Sequence, residues 1–231
     1  MNVAIVVAAG KGTRLGGNRP KQFIELNAIP IIVHTLRQFE HSQQIGTVVA
    51  VLPPEEVAAF QSLQDKFELK KVGCVVAGGQ TRAQSVLNGL AAIEEADVVA
   101  VHDGVRPLVT PAEIDEVVIA AAANGAAILV AGVGDTIKEI ENNRIVGTVP
   151  RDRLRRALTP QCFRFDVLKR AYEDLAKIEA SGIEVTDDSF LVERLGVNVV
   201  AIAGSARNIK ITNEEDLAVA EILLKSVVRG Q

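Results

Sequence analysis

Residues 3–8, Val3-Ala4-Ile5-Val6-Val7-Ala8, are apolar throughout and run through Ala9 into Gly10-Lys11-Gly12-Thr13-Arg14-Leu15-Gly16. A strand that is apolar on both faces must be covered on both faces, which is the condition of a mostly parallel sheet between two layers of helices. The loop that follows combines glycine with positive charge. Gly10 and Gly12 let backbone N–H groups approach an oxyanion with no Cβ in the way. Arg14 and Lys21 add cations on either side, one a flat fork and the other a point charge. Such a loop suits a triphosphate.

Two commoner glycine motifs do not fit. A dinucleotide fingerprint needs a third glycine where Leu15 stands, and Gly16 comes one position late. A P-loop built on Gly10-Lys11 would need glycine at Ile5.

The same alternation continues along the chain. Apolar runs at 3–8, 47–52, 72–77, 97–102, 127–131 and 197–203 alternate with helical periodicity at 31–41, 55–66, 82–94, 111–123, 165–180 and 213–228. This predicts an α/β fold: a single Rossmann-like domain over 1–231, with a mostly parallel twisted sheet flanked by helices and the loops after residues 8, 77 and 102 building the site. One segment breaks the pattern. Residues 136–140 and 144–149 flank the polar turn Glu141-Asn142-Asn143 and read as a hairpin, part of an arm expected at about 135–160. A lone hairpin is marginal in water, so a symmetric partner subunit is its expected cover.

A net charge of −4, without a basic amphipathic stripe, argues against a general nucleic-acid or membrane-surface binder. Cys74 and Cys162 lack metal-like spacing and read as reduced packing residues. With no leader-like start and no membrane-length apolar run, the expected location is cytoplasmic. The length leaves no room for a second catalytic domain.

Further tags follow in order: Pro20-Lys21-Gln22-Phe23, Gly78-Gly79-Gln80-Thr81-Arg82-Ala83-Gln84-Ser85-Val86, His102-Asp103-Gly104-Val105-Arg106-Pro107, Asp135-Thr136-Ile137-Lys138, Leu158-Thr159-Pro160-Gln161, Thr186-Asp187-Asp188 and Asn208-Ile209-Lys210-Ile211-Thr212. With the glycine loop they resemble the nucleotidyltransferases that activate sugar and polyol phosphates, and within them the 2-C-methyl-D-erythritol 4-phosphate cytidylyltransferase family. The resemblance covers nearly the whole chain. It implies attack by the acceptor phosphate on the α-phosphorus of CTP, with release of pyrophosphate, in the non-mevalonate route to isoprenoid precursors. It also implies a divalent ion, Mg²⁺ or another, carried mainly by the CTP phosphates, and a homodimer that exchanges arms.

Carried over residue by residue, the resemblance makes Arg14 and Lys21 the groups that stabilise the transition state. Arg151 and Lys210 then orient the acceptor phosphate, Arg151 from the neighbouring subunit. Ala8, Ala9, Gly10 and Gly12 form the nucleotide loop, and Gly79, Gln80, Arg82 and Ser85 cap the base, where small residues and a hydroxyl can read a pyrimidine amine. Thr81 also reads as a helix cap. Asp103 and Gly104 end a strand at the site, with Asp103 facing ribose, acceptor hydroxyls or the ion. Arg106, Thr136, Thr159, Thr186 and Asp187 supply donors and acceptors for a hydroxylated acceptor. His102 reads as packed, having no second His or Cys at metal spacing. Val7, Val105 and Pro150 depart from the family's usual residues. The nearest alternative is a ribitol 5-phosphate cytidylyltransferase; a nucleotide-binding subunit without catalysis is another, and the broken fingerprint disfavours a nicotinamide enzyme.

Overall fold

The computed structural model describes residues 1–10 and 20–228. Gly12 and Arg14, two of the expected nucleotide-binding positions, lie outside the described residues. In chain order the strands are β1 (Val3–Val7), β2 (Glu25–Leu26), β3 (Ile29–Pro30), β4 (Thr47–Leu52), β5 (Val72–Ala77), β6 (Val98–Asp103), β7 (Ala126–Gly132), β8 (Ile137–Glu141), β9 (Arg144–Val149), β10 (Arg155–Arg164) and β11 (Val200–Ala203). The helices are α1 (Ile31–His41), α2 (Phe60–Lys66), α3 (Arg82–Ala91), α4 (Pro111–Asn124), α5 (Phe165–Tyr172), α6 (Leu175–Ala180), α7 (Asp188–Glu193) and α8 (Glu214–Val228).

Among the described residues seven strands form the central sheet, in the order β11-β7-β10-β6-β1-β4-β5. β10 runs antiparallel to both its neighbours, and the other pairings are parallel. Successive side chains of β1 serve opposite faces, as the pleat requires. Ala4 and Val6 join Ile32, Leu36, Phe39, Ile114 and Val117 on one side, under α1 and α4. Val3 and Ile5 join Val86, Leu90, Phe163, Leu168 and Leu191 on the other, under α3, α5 and α7. Both faces of the sheet are therefore dry, and residues 3–7 have no polar side to show.

Local chemistry sets the helix boundaries. Thr110 and Glu113 form a reciprocal capping box at the start of α4, with Pro111 at its first position, and Gly125 at φ 92° ends it. Thr81 caps α3 by accepting from Gln84 N–H, in agreement with the sequence.

Three segments differ from the pattern read in the sequence. The stretch 165–180 is two helices, α5 and α6, and 55–66 resolves into a 3-10 turn followed by α2. Residues 155–160 do not belong to the arm. They enter β10, where Arg155 pairs with Gly132 and Gln161 pairs with both Ile128 and Val101, in the middle of the sheet. β10 is hard to recognise because Thr159 and Gln161 are polar though buried. The hairpin itself is β8 and β9, paired Ile137 to Val149 through Glu141 to Arg144. Asn142 and Asn143, at φ 48° and 62°, supply the left-handed pair that a tight hairpin turn needs.

Candidate active site

Parallel pairing brings the ends of β1, β6 and β4 together, with Val7 beside both Asp103 and Val51. The segments that leave β1, β6 and β5 line a cavity of about 380 Å³. Its lining draws on segments singled out in the sequence: Ala8, Ala9 and Gly10 after β1; Gly79, Gln80, Arg82 and Ser85 around the start of α3; Asp103 at the end of β6. Lys21 and Lys210 also line it, and Val7, Gln22, Thr81 and Val105 complete the lining. A site outside the carboxyl ends of the strands is what an open α/β sheet provides.

Close backbone approach explains two of the glycines. A Cβ at Gly104 would stand 2.7 Å from the Ala8 Cβ, and one at Gly79 would stand 2.5 Å from the Gln84 Cβ. Gly104 is thus a spacer between the ends of β1 and β6, outside the cavity lining.

Gln22 belongs to the Pro20-Lys21-Gln22-Phe23 tag but carries no site role in the sequence reading. Its side chain is buried and its Nε2 donates to the Ala8 carbonyl at 2.5 Å, tying the turn at 21–23 to the end of β1. That bond delivers the neighbouring Lys21 to the cavity. Lys21 Nζ in turn donates to the Ile211 carbonyl at 3.3 Å, and Ile211 N–H donates to the Val105 carbonyl at 2.9 Å. The Pro20-Lys21-Gln22-Phe23 tag therefore has a mechanical reading: one residue carries charge and the next anchors it.

Electrostatically the cavity centres on Asp103. Its carboxylate contacts Arg82 Nε at 3.1 Å, Arg106 Nε at 3.2 Å and Lys210 Nζ at 3.1 Å. Burial pushes this carboxyl upward, but the three cations overcome that and hold it well below the usual carboxylate range. Among the described residues the cavity lining carries three cationic side chains, Lys21, Arg82 and Lys210, against the single carboxylate of Asp103. A cavity of this kind has charge to spare for an anion.

Below the cavity lies a buried polar layer. His102 is fully buried, edge-on to Phe39, and burial lowers its pKa to about 4 against the pull of Asp103. Its Nδ1 meets Thr159 Oγ1 at 2.9 Å, and Thr159 Oγ1 accepts from Asp103 N–H at 3.2 Å. His102 is a packed histidine, as its sequence context suggests. Thr159 is buried and holds the end of β6 by accepting from Asp103 N–H, and it is not among the residues lining this cavity. Arg106 is likewise turned inward, to Asp103 and to the Asn208 carbonyl at 2.9 Å, and is not in the lining.

The 186–188 segment also divides differently from its sequence reading. Asp187 accepts from Phe190 N–H at 2.9 Å as the cap of α7 and from Gln161 Nε2 at 2.9 Å. Thr186 is exposed, and neither residue lines the cavity. Asp188 makes the connection instead. Fully buried, it pairs with Arg82 Nη2 at 2.8 Å and accepts from Tyr172 Oη at 2.5 Å. The available signal was a buried helix start directly after a cap. Thr136 and Arg151 are exposed near the two ends of the hairpin, outside the cavity lining, where Arg151 donates to the Gly134 carbonyl.

Among the described residues no group of three or more His, Cys, Asp or Glu side chains could hold a metal ion. Asp103 already has three cationic partners, so these side chains do not form a protein cage for a divalent ion. No helix among the described residues is long and apolar enough to cross a membrane.

A family model for 2-C-methyl-D-erythritol 4-phosphate cytidylyltransferase matches residues 2–226. The chain is 41% identical over 223 residues to the enzyme of that name from Geobacillus thermodenitrificans, covering 96% of each. It is 42% identical over 228 residues to the one from Geotalea uraniireducens, covering 97% of each. A crystal structure of 4-diphosphocytidyl-2C-methyl-D-erythritol synthase from Anaerococcus prevotii superimposes with a TM-score of 0.84 at 29% identity, covering 97% of this chain and 96% of that one.

Proposed function

The chain belongs to the 2-C-methyl-D-erythritol 4-phosphate cytidylyltransferase family, and on that premise we propose that the cavity around Asp103 is where it transfers CMP from CTP to 2-C-methyl-D-erythritol 4-phosphate. The enzyme is a nucleotidyltransferase of isoprenoid precursor synthesis. The observation that carries the site assignment is that one cavity is lined both by the cations Lys21, Arg82 and Lys210 and by the glycine- and hydroxyl-bearing positions Gly79, Thr81 and Ser85. In this reading the base enters that loop, the triphosphate lies along Ala8, Ala9, Gly10 and Lys21, and the acceptor phosphate comes in beside Lys210.

Both reactants are anions, so the residues have to hold like charges together and offset the charge that grows on the α-phosphoryl oxygens. Lys21 supplies that positive charge from a fixed position, joined by Arg14 on the strength of the family resemblance. The acceptor phosphate needs no general base, being already ionised near neutral pH. It displaces pyrophosphate from the α-phosphorus. Lys210 can leave Asp103 for this phosphate at modest cost, because Arg82 and Arg106 keep the carboxylate paired. CTP is proposed to arrive with Mg²⁺ on its own phosphates, which lowers their charge. Gly12, Thr136, Thr186 and Arg151 complete the proposed set, Arg151 across a homodimer interface formed by the hairpin, in a cytoplasmic single-domain enzyme.

The test is pyrophosphate release by the purified protein with Mg²⁺ and CTP, comparing 2-C-methyl-D-erythritol 4-phosphate with ribitol 5-phosphate. Release with the first is expected; release with the second alone would keep the nucleotide site and replace the acceptor.

A further inference from the structure

We infer that Glu179, on α6 and outside the cavity lining, is a positioning residue for the loop that reads the base and thereby sets the preference for CTP over UTP; the inference rests on the proposed function above. Glu179 is 95 residues from the loop in sequence, yet its carboxylate closes on it with both oxygens. Oε1 accepts from Thr81 Oγ1 at 2.8 Å, and Oε2 accepts from Gln84 Nε2 at 2.7 Å.

A carboxylate only accepts, so it dictates how its two partners are arranged. Thr81 commits its hydroxyl proton to Glu179, which leaves its oxygen to accept from Gln84 N–H at 3.0 Å and cap α3. Gln84 turns its NH₂ toward Glu179, which leaves its Oε1 to accept from Gln80 N–H at 3.1 Å. One side chain therefore holds the loop at both Gln80 and Thr81.

Holding Thr81 matters because Ser85 depends on it. Ser85 Oγ donates to the Thr81 carbonyl at 2.9 Å and accepts from Gly79 N–H at 3.0 Å. Ser85 lines the cavity, and with its one proton spent its hydroxyl has only a lone pair left to offer. It can accept from the exocyclic amine of cytosine and has nothing to donate to the carbonyl that replaces it in uracil. The acceptor-only state lasts while the Thr81 carbonyl stays in place.

The bridge can be inverted to test it. In E179Q one oxygen becomes an NH₂ group. Either Thr81 loses its acceptor, or the Gln84 amide flips and points its own NH₂ at Gln80 N–H. E179Q is expected to raise KM for CTP about fivefold and to narrow the CTP to UTP ratio, with KM for 2-C-methyl-D-erythritol 4-phosphate and kcat little changed. Q84E alone sets two carboxylates face to face and should be worse. The double exchange E179Q/Q84E restores every partner with polarity reversed. The amide at 179 accepts from Thr81 and donates to the carboxylate at 84, whose other oxygen still takes Gln80 N–H. Recovery of CTP affinity in the double variant supports the inference. Unchanged KM for CTP in E179Q, a parallel rise in both KM values with a lowered thermal midpoint, or no recovery in the double variant would overturn it. If the parent protein releases no pyrophosphate with either polyol phosphate, that failure falls on the proposed acceptor. Calorimetric titration of the same variants with CTP and UTP still decides the role of Glu179, and a parent protein that binds neither nucleotide overturns both readings.

Discussion

Arg82, partly buried, pairs with the fully buried Asp188, Nη2 to Oδ2 at 2.8 Å, while the same guanidinium reaches Asp103 through Nε at 3.1 Å. The start of α3, the end of β6 and the start of α7 are joined through one side chain. Burial disfavours the Arg82 cation, but Asp188 and Asp103 outweigh it and keep it charged. Removing one partner of such a pair leaves a buried charge short of compensation, at a cost of about 3 kcal/mol. Asp188→Asn is expected to lower unfolding stability by that amount in urea at neutral pH, and Tyr172→Phe by about 1 kcal/mol for its single hydrogen bond. An unchanged midpoint in Asp188→Asn would mean that Asp103 alone satisfies Arg82.

Lys21 sits in the cavity wall on a turn anchored by Gln22, so its removal should leave the fold alone. One lost transition-state charge contact is worth about 3–4 kcal/mol. Lys21→Ala is expected to lower kcat by two to three powers of ten, with an unchanged thermal midpoint and circular dichroism spectrum. Turnover close to that of the parent would remove Lys21 from the mechanism.

Much of this site is legible in the sequence where chemistry and strand ends coincide. Ala8 to Gly10, Gly79 to Arg82 with Ser85, and Asp103 follow apolar runs and line the cavity. Legibility fails where a polar residue serves another polar residue. Thr159 and Gln161 make β10 look unlike a core strand, yet they hold the ends of β6 and α7. Arg106 and Asp187 have the chemistry of ligand contacts and also bond within the protein, to Asp103 and the Asn208 carbonyl and to Gln161 and Phe190 N–H. Single-sequence patterns report burial of carbon well and the direction of a hydrogen bond hardly at all. Gln22 and Glu179 act through bonds to segments 14 and 95 or more residues away, which no local period encodes.

Lys210 is 39% exposed at its side chain and bound to Asp103 at 3.1 Å, a position from which it can turn to an incoming phosphate. Asp103 keeps Arg82 and Arg106 when Lys210 is gone. Lys210→Ala is therefore expected to raise KM for the polyol phosphate about tenfold, as for one charge-assisted contact, while KM for CTP moves little. A rise in KM for CTP alone would assign Lys210 to the triphosphate.

The buried layer predicts acid sensitivity. The ordinary histidine pKa is 6.5, and burial lowers that of His102 to about 4, with Arg106 and Arg82 adding to the fall and Asp103 opposing it. Between these values the unfolded chain binds the proton and the folded one does not, so stability rises with pH across the window and is lost as pH falls through it. The span corresponds to about 3 kcal/mol. Asp103 acts in the same direction at lower pH, since its depressed carboxyl resists protonation in the folded state below the ordinary value of 3.8. Urea midpoints measured from pH 7 to pH 4 should fall steeply for the parent and less steeply for His102→Gln. Parallel curves would show that His102 does not carry the effect.

Arg151 lies outside the cavity lining of its own chain, at the base of a hairpin whose Ile140, Ile145 and Val146 are 64%, 66% and 54% exposed. Three large apolar side chains on a two-stranded ribbon need a cover, and a second copy of the chain supplies one by symmetry. If Arg151 acts across that interface, Arg151→Ala and Lys21→Ala damage different sites of a mixed dimer. One of the two sites then carries both defects and the other carries neither. Co-refolded mixtures should recover about a quarter of parent activity, since half of the random dimers are mixed and each has one intact site. Sedimentation of the parent protein as a monomer, or no recovery in mixtures shown to exchange subunits, would return Arg151 to its own subunit or remove it from the reaction.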